Sequence, residues 1–139
     1  MPAEILSHLI AFLLGTLVGA SGKYLADRFT DQRRRQEARR ETKKRFRAVR
    51  KQMPELIAEM RQDLGEPGNE SVRHFFIIPT KSVSLNLRAQ AFVYYEDRHP
   101  DLRGKVTILE NHGYVIDDTS GNVPRYRMTE ELVGLLRSG

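Results

Sequence analysis

Between Glu4 and Lys23 the chain passes through eighteen residues without a formal charge, "ILSHLIAFLLGTLVGASG", in which His8 is the only titratable side chain. A hydrocarbon core of roughly 30 Å takes about 20 helical residues to cross. The pattern therefore predicts a transmembrane helix over residues 1–26, with Lys23 and Tyr24 as interfacial anchors. The polarity then inverts. From Thr30 to Arg45 the chain is Arg, Lys, Glu, Gln and little else, and no Gly or Pro interrupts it between Gly22 and Pro54. That composition continues the helix with a polar surface on every side. Asp31 precedes Arg35, and Glu41 precedes Arg45, by one helical turn in the favourable acid-first order. Residues 27–52 are expected to form a basic juxtamembrane stalk.

Apolar positions return at Phe46, Val49, Met53, Leu56, Ile57, Met60 and Leu64, a spacing of three and four that marks one buried stripe. It predicts either a short coiled coil or the first helix of a following domain. Pro54 either kinks this helix or opens a new one, and "GEPGN", Gly65 to Asn69, ends it. Beyond residue 71 the period shortens. "HFFII" (His74–Ile78), "VSLNL" (Val83–Leu87) and "AFVYY" (Ala91–Tyr95) predict strands. After Pro100, Leu102, Val106 and Leu109 share a helical face that ends at Gly113. Tyr114–Asp117 and Arg125–Met128 then flank the turn-rich "DTSGN" as an antiparallel hairpin. Thr129 caps a last helix burying Leu132, Leu135 and Leu136, with Met128 and Val133 placed as a hydrophobic staple. The fold class is α+β, and 53–139 forms the C-terminal domain.

Charge sharpens this division. The net +5 conceals twelve basic against three acidic residues from Arg28 to Lys51, a local +9. From Gln52 onward ten basic stand against thirteen acidic residues, a local −3. Positive charge flanking a span marks the cytoplasmic side. Arg33, Arg34, Arg35, Arg39, Arg40, Lys43 and Lys44 therefore predict a short N-terminus outside and all the rest in the cytoplasm of an inner membrane. The same residues are candidates for anionic lipid headgroups, each worth about 1 kcal/mol near the surface. A secretory signal would carry its positive charge ahead of the apolar run, not behind it. Within the span Ser7, Ala11, Gly15 and Gly19 recur every four residues, a small-residue face suited to close helix–helix approach and self-association.

Catalytic signals are missing. The chain has no cysteine, no Gly-rich phosphate loop and no Ser-centred elbow. His74, His99 and His112 show no ligand spacing, so neither a metal nor a cofactor is expected. Glu96, Asp97 and Asp101 group together, but no nucleophile or base accompanies them. A binding role is expected rather than an enzymatic one.

"LRGKVTILENHGYV" resembles the third helix and first wing strand of winged-helix domains, and "GYVIDDTSGNVPRYRMTEELVGLL" is similar to their wing hairpin and closing helix. The likeness covers about 40 residues, or about 85 if Pro54–Leu64 supplies the first helix. It departs from the family where a second helix should stand, because "FVYYEDRH" reads as strand and turn. A membrane anchor joined to such a module also resembles phage superinfection-exclusion membrane proteins. The winged-helix likeness implies a module that binds either protein or DNA. For DNA, it would present Arg103, Lys105 and Asn111 on the reading helix and Arg125 and Arg127 on the wing. DNA affinity rests on neutralising phosphates, and Asp101, Glu110, Asp117 and Asp118 crowd those residues. Arg125 and Arg127 read equally as the solvated face of an edge strand. A protein partner is thus favoured over DNA, with a membrane-tethered transcriptional regulator as the alternative.

Overall fold

The computed structural model describes residues 2–82 and 90–139. The strand expected over Val83–Leu87 lies outside the described residues. The chain divides into two compact units, Met1–Lys43 and Lys44–Gly139.

The described part of the first unit is helical throughout, as part of α1 (Pro2–Gln52). Its large apolar side chains, Ile5, Leu9, Phe12, Leu13, Leu17 and Val18 among them, are all exposed. The expected helix thus forms across the apolar run and the basic run without a break.

In the second unit the returning apolar stripe goes into the core of the domain. Phe46 and Val49, on the last turns of α1, are buried, as are Met53, Leu56, Ile57, Met60 and Leu64. Pro54 does not kink a continuous rod. It occupies the first turn of a separate helix, α2 (Pro54–Gly65), after Met53 leaves helical geometry at φ −142° and ψ 59°. A proline tolerates that position because its missing N–H would have had no intrahelical partner.

Four strands form one mixed sheet in the order β2-β1-β4-β3. β1 (His74–Ile78) runs parallel to β2 (Phe92–Tyr95), aligning Phe75 with Phe92 and Ile77 with Tyr94. β4 (Arg125–Met128) pairs antiparallel with β1 on one side and with β3 (Val115–Asp117) on the other. The predicted hairpin is therefore present. The edge-strand reading of Arg125 and Arg127 is overturned: β4 is an interior strand, and the edges are β2 and β3. Alternation places Phe75, Ile77, Phe92 and Tyr94 toward the core. There Phe75 meets Tyr94 edge-on at 5.3 Å and stacks on Tyr126 at 5.5 Å.

α3 (Leu102–Asn111) turns Leu102, Val106 and Leu109 inward. It ends in a Schellman-type cap: Gly113, at φ +75°, donates its N–H to Glu110 C=O, and Tyr114 donates to Leu109 C=O. α4 (Glu130–Ser138) begins at Thr129, whose hydroxyl accepts from the Leu132 N–H, as expected. The same hydroxyl donates to Tyr114 C=O at 3.0 Å, tying the cap to the start of β3.

Candidate functional site

Three surfaces carry the chemistry. The first is the apolar part of α1, which holds a stretch long and apolar enough to cross a membrane, with none of it buried against the protein. Its hydroxyls are satisfied within the helix: Ser7 donates to Glu4 C=O, Thr16 to Leu13 C=O, and Ser21 to Leu17 C=O. A spanning helix needs this, because lipid tails offer no acceptor. A Cβ added at Gly15 or Gly19 would meet no atom within 4 Å, so this face is open. The spacing that suggested a packing face with Ser7 and Ala11 is preserved in an unbroken helix.

The second surface is the basic run. Arg33, Arg34, Arg35, Arg39, Arg40, Lys43 and Lys44 are all exposed. Among the described residues, none of them takes part in an ion pair. Seven exposed cations thus fall within twelve positions.

The third surface belongs to the second unit, and the structure separates the residues that winged-helix likeness would group. Arg103 is tied through Nε to Glu96, which holds its guanidinium pKa up. Lys105 follows two positions later on α3, about 200° around the helix. Arg125 bonds the Asp118 carboxylate and the Asp118 carbonyl, each at 3.0 Å. Asp118 also meets His74 Nε2 at 3.0 Å. Arg127, exposed on β4, faces His74 and Ile116 in register and forms no ion pair among the described residues. Two of the four candidate cations are thus locally neutralised.

A cleft that the sequence reading missed lies on α2. Glu55, Glu59 and Asp63, one turn apart, share a face with Gln62, and Arg98 and His99 after β2 complete an open cleft of about 530 Å³. His99 is only 4 % exposed. Its Nε2 meets the Glu59 carboxylate, while its Nδ1 is buried with no partner among the described residues. Arg98 lies 3.6 Å from Glu59. Burial, then the neighbouring Glu59 and Glu66 carboxylates, push the Asp63 pKa up against an opposing contribution from Tyr94. The buried Tyr94 hydroxyl, within reach of Asp63 but without a hydrogen bond of ordinary geometry, has its own pKa pushed well up, first by burial and then by that carboxylate. The legible signal was the acidic i, i+4, i+8 spacing beneath the apolar stripe. His99 carried none, because only the fold brings it to Glu59. Among the described residues, no group of three His, Cys, Asp or Glu is arranged to hold a metal ion.

No family model, no curated protein and no solved structure matches this chain.

Proposed function

We propose that the chain is a single-pass membrane protein that presents a winged-helix-like protein-interaction module on the cytoplasmic face of an inner membrane, in a setting such as phage exclusion or defence. The observation that carries this reading is the exposed apolar stretch, followed by a local +9 from Arg28 to Lys51 and then by a local −3 from Gln52 onward. An anchor of this kind faces lipid with its apolar side chains, and the basic run contacts anionic headgroups. Self-association through the Ser7, Ala11, Gly15 and Gly19 face would bring two modules side by side. No cofactor or reaction enters this proposal.

Support for the winged-helix likeness comes from β1, β4 and β3, which lie in antiparallel order with the hairpin directly after α3. The departure is equally concrete: β2, parallel to β1, occupies the chain position where that family places a helix. Support for a protein partner comes from the acidic cleft on α2, whose crowded carboxylates suit a basic segment and repel a nucleic acid. The tethered DNA-binding regulator is favoured by one feature, that Arg127 and Lys105 form no ion pair among the described residues.

Fluorescence anisotropy on the full chain in neutral-lipid nanodiscs, with labelled duplex DNA at low and moderate salt, separates the two. The interaction-module reading expects binding that lacks sequence preference and disappears with added salt, as generic polycation binding does. Sequence-preferring binding that survives moderate salt, and falls when Arg127 is changed to Gln, would replace it with the regulator.

A further inference from the structure

On the opposite electrostatic sign from the acidic cleft, a pocket of about 210 Å³ is lined by Arg50, Lys51, Pro54, Ile57, Ala58 and Arg61. Three of these six residues are cationic and none is acidic. We propose that this pocket binds a phosphate group carried on an organic portion.

Three observations converge on an anion. Arg61 Nε and Nη2, the two donors that form the bidentate edge of a guanidinium, are buried with no acceptor among the described residues. A charged donor left unmatched away from water is costly, and nearly all such donors find a partner. Next, Arg61 Nη2 and Arg50 Nη1 lie against the same residue, 2.5 and 3.5 Å from where a Cβ on Gly139 would lie, which brings the two pocket arginines together. Two guanidinium groups gathered at one residue repel each other, and an anion between or beside them relieves that repulsion. Finally, none of Arg50, Lys51 or Arg61 forms an ion pair among the described residues.

Phosphate suits this arrangement better than carboxylate does. It offers three or four oxygens to donors that approach from separate residues, and arginine matches it in a fork geometry that lysine lacks. The remainder of the pocket is apolar, with Pro54, Ile57 and Ala58 forming a wall for the carbon skeleton next to the phosphate. Two sources have this chemistry, a phospholipid headgroup and a soluble organophosphate. The pocket lies wholly within the second unit, so the phosphate site does not depend on the membrane reading. Only the lipid source does.

The test is titration of the full chain in neutral detergent with glycerol 3-phosphate, followed by ³¹P NMR and calorimetry. Saturable binding is expected, weakened at least about tenfold by Arg61→Gln, less by Arg61→Lys, and little by Arg40→Gln, a cation outside the pocket. Near-ultraviolet circular dichroism confirms that each variant keeps its fold, and Arg50→Gln, on a different helix, provides a second loss-of-binding variant. The source is read by repeating the titration in nanodiscs. If phosphatidylglycerol nanodiscs at moderate salt lower the apparent affinity at least about tenfold relative to the phosphate-free neutral detergent, the lipid headgroup occupies the site. If the affinity is unchanged, a soluble organophosphate does. Absence of binding by the unmodified chain, or equal binding by Arg61→Gln and Arg50→Gln, would overturn the proposal while leaving the anchor reading intact.

Discussion

At the scale of single residues, two glycines show how differently one residue type can be used. Gly113 sits at φ +75°, and a Cβ added there would meet nothing within 4 Å, so its requirement is purely backbone. A left-handed alanine there costs roughly 1–2 kcal/mol, and Gly113→Ala is expected to destabilise by about that amount in urea unfolding. Gly134 also has open space but lies inside α4, where glycine costs conformational entropy. Gly134→Ala should stabilise by about 0.5–1 kcal/mol. Equal effects of the two changes would contradict the cap geometry. Asp63 gives a pH signature. Burial raises its folded pKa above the usual 3.8, so the folded state holds this proton more tightly than the unfolded chain. Stability from this group is therefore greatest below pH 3.8 and falls as pH rises through the raised folded value. Asp63→Asn should melt higher than the parent at about pH 7, with the gap closing toward about pH 3.5. A gap that widens on acidification would reverse the assignment.

Among the elements, those whose signals are local were legible in advance. Pro54, Gly113 and Thr129 each impose a backbone or capping requirement on their own neighbours; Gly113 and Thr129 mark helix ends where the chain led one to expect them, and Pro54 takes the second of its two readings, the start of a new helix. Short runs of strand composition likewise marked β1, β2 and the hairpin. What the sequence does not carry is pairing between distant elements. Nothing in "AFVYY" says that it lies parallel to β1, or that β4 runs in the sheet interior, because both follow from which strands find each other across long separations. The acidic cleft was half legible for the same reason. Its α2 face could be read from a four-residue spacing, whereas His99 reaches Glu59 only through the fold. Thr129 shows that a local signal can also hold distant parts. Its hydroxyl caps α4 and bonds the start of β3, so Thr129→Ala should cost about 1 kcal/mol or somewhat more. Thr129→Ser, keeping the hydroxyl, should recover most of it.

For the whole molecule, the distribution of charge makes the strongest commitment. Lys and Arg immediately after an apolar span oppose translocation of that flank, while the single Glu4 before it opposes little. The chain has no cysteine, so single-cysteine variants report topology without background. Ala3→Cys and Ser138→Cys place a thiol at either end, in exposed positions. In intact spheroplasts a membrane-impermeant maleimide should label Ala3→Cys and leave Ser138→Cys unlabelled until the membrane is broken. Reversing the flank charge then tests the cause rather than the outcome. Changing Arg33, Arg34, Arg35, Arg39 and Arg40 to Glu removes the nearest block of positive charge while leaving the apolar run untouched. A substantial share of molecules should then invert, so that Ser138→Cys becomes labelled in intact cells. If both thiols stay unreactive in intact cells but react fully once the membrane is opened, the apolar helix does not span. Its exposed side chains would then have to be covered by protein. If Ala3→Cys remains outside despite the charge reversal, the basic run is not the topology signal, and its seven unpaired cations would serve the headgroup surface alone.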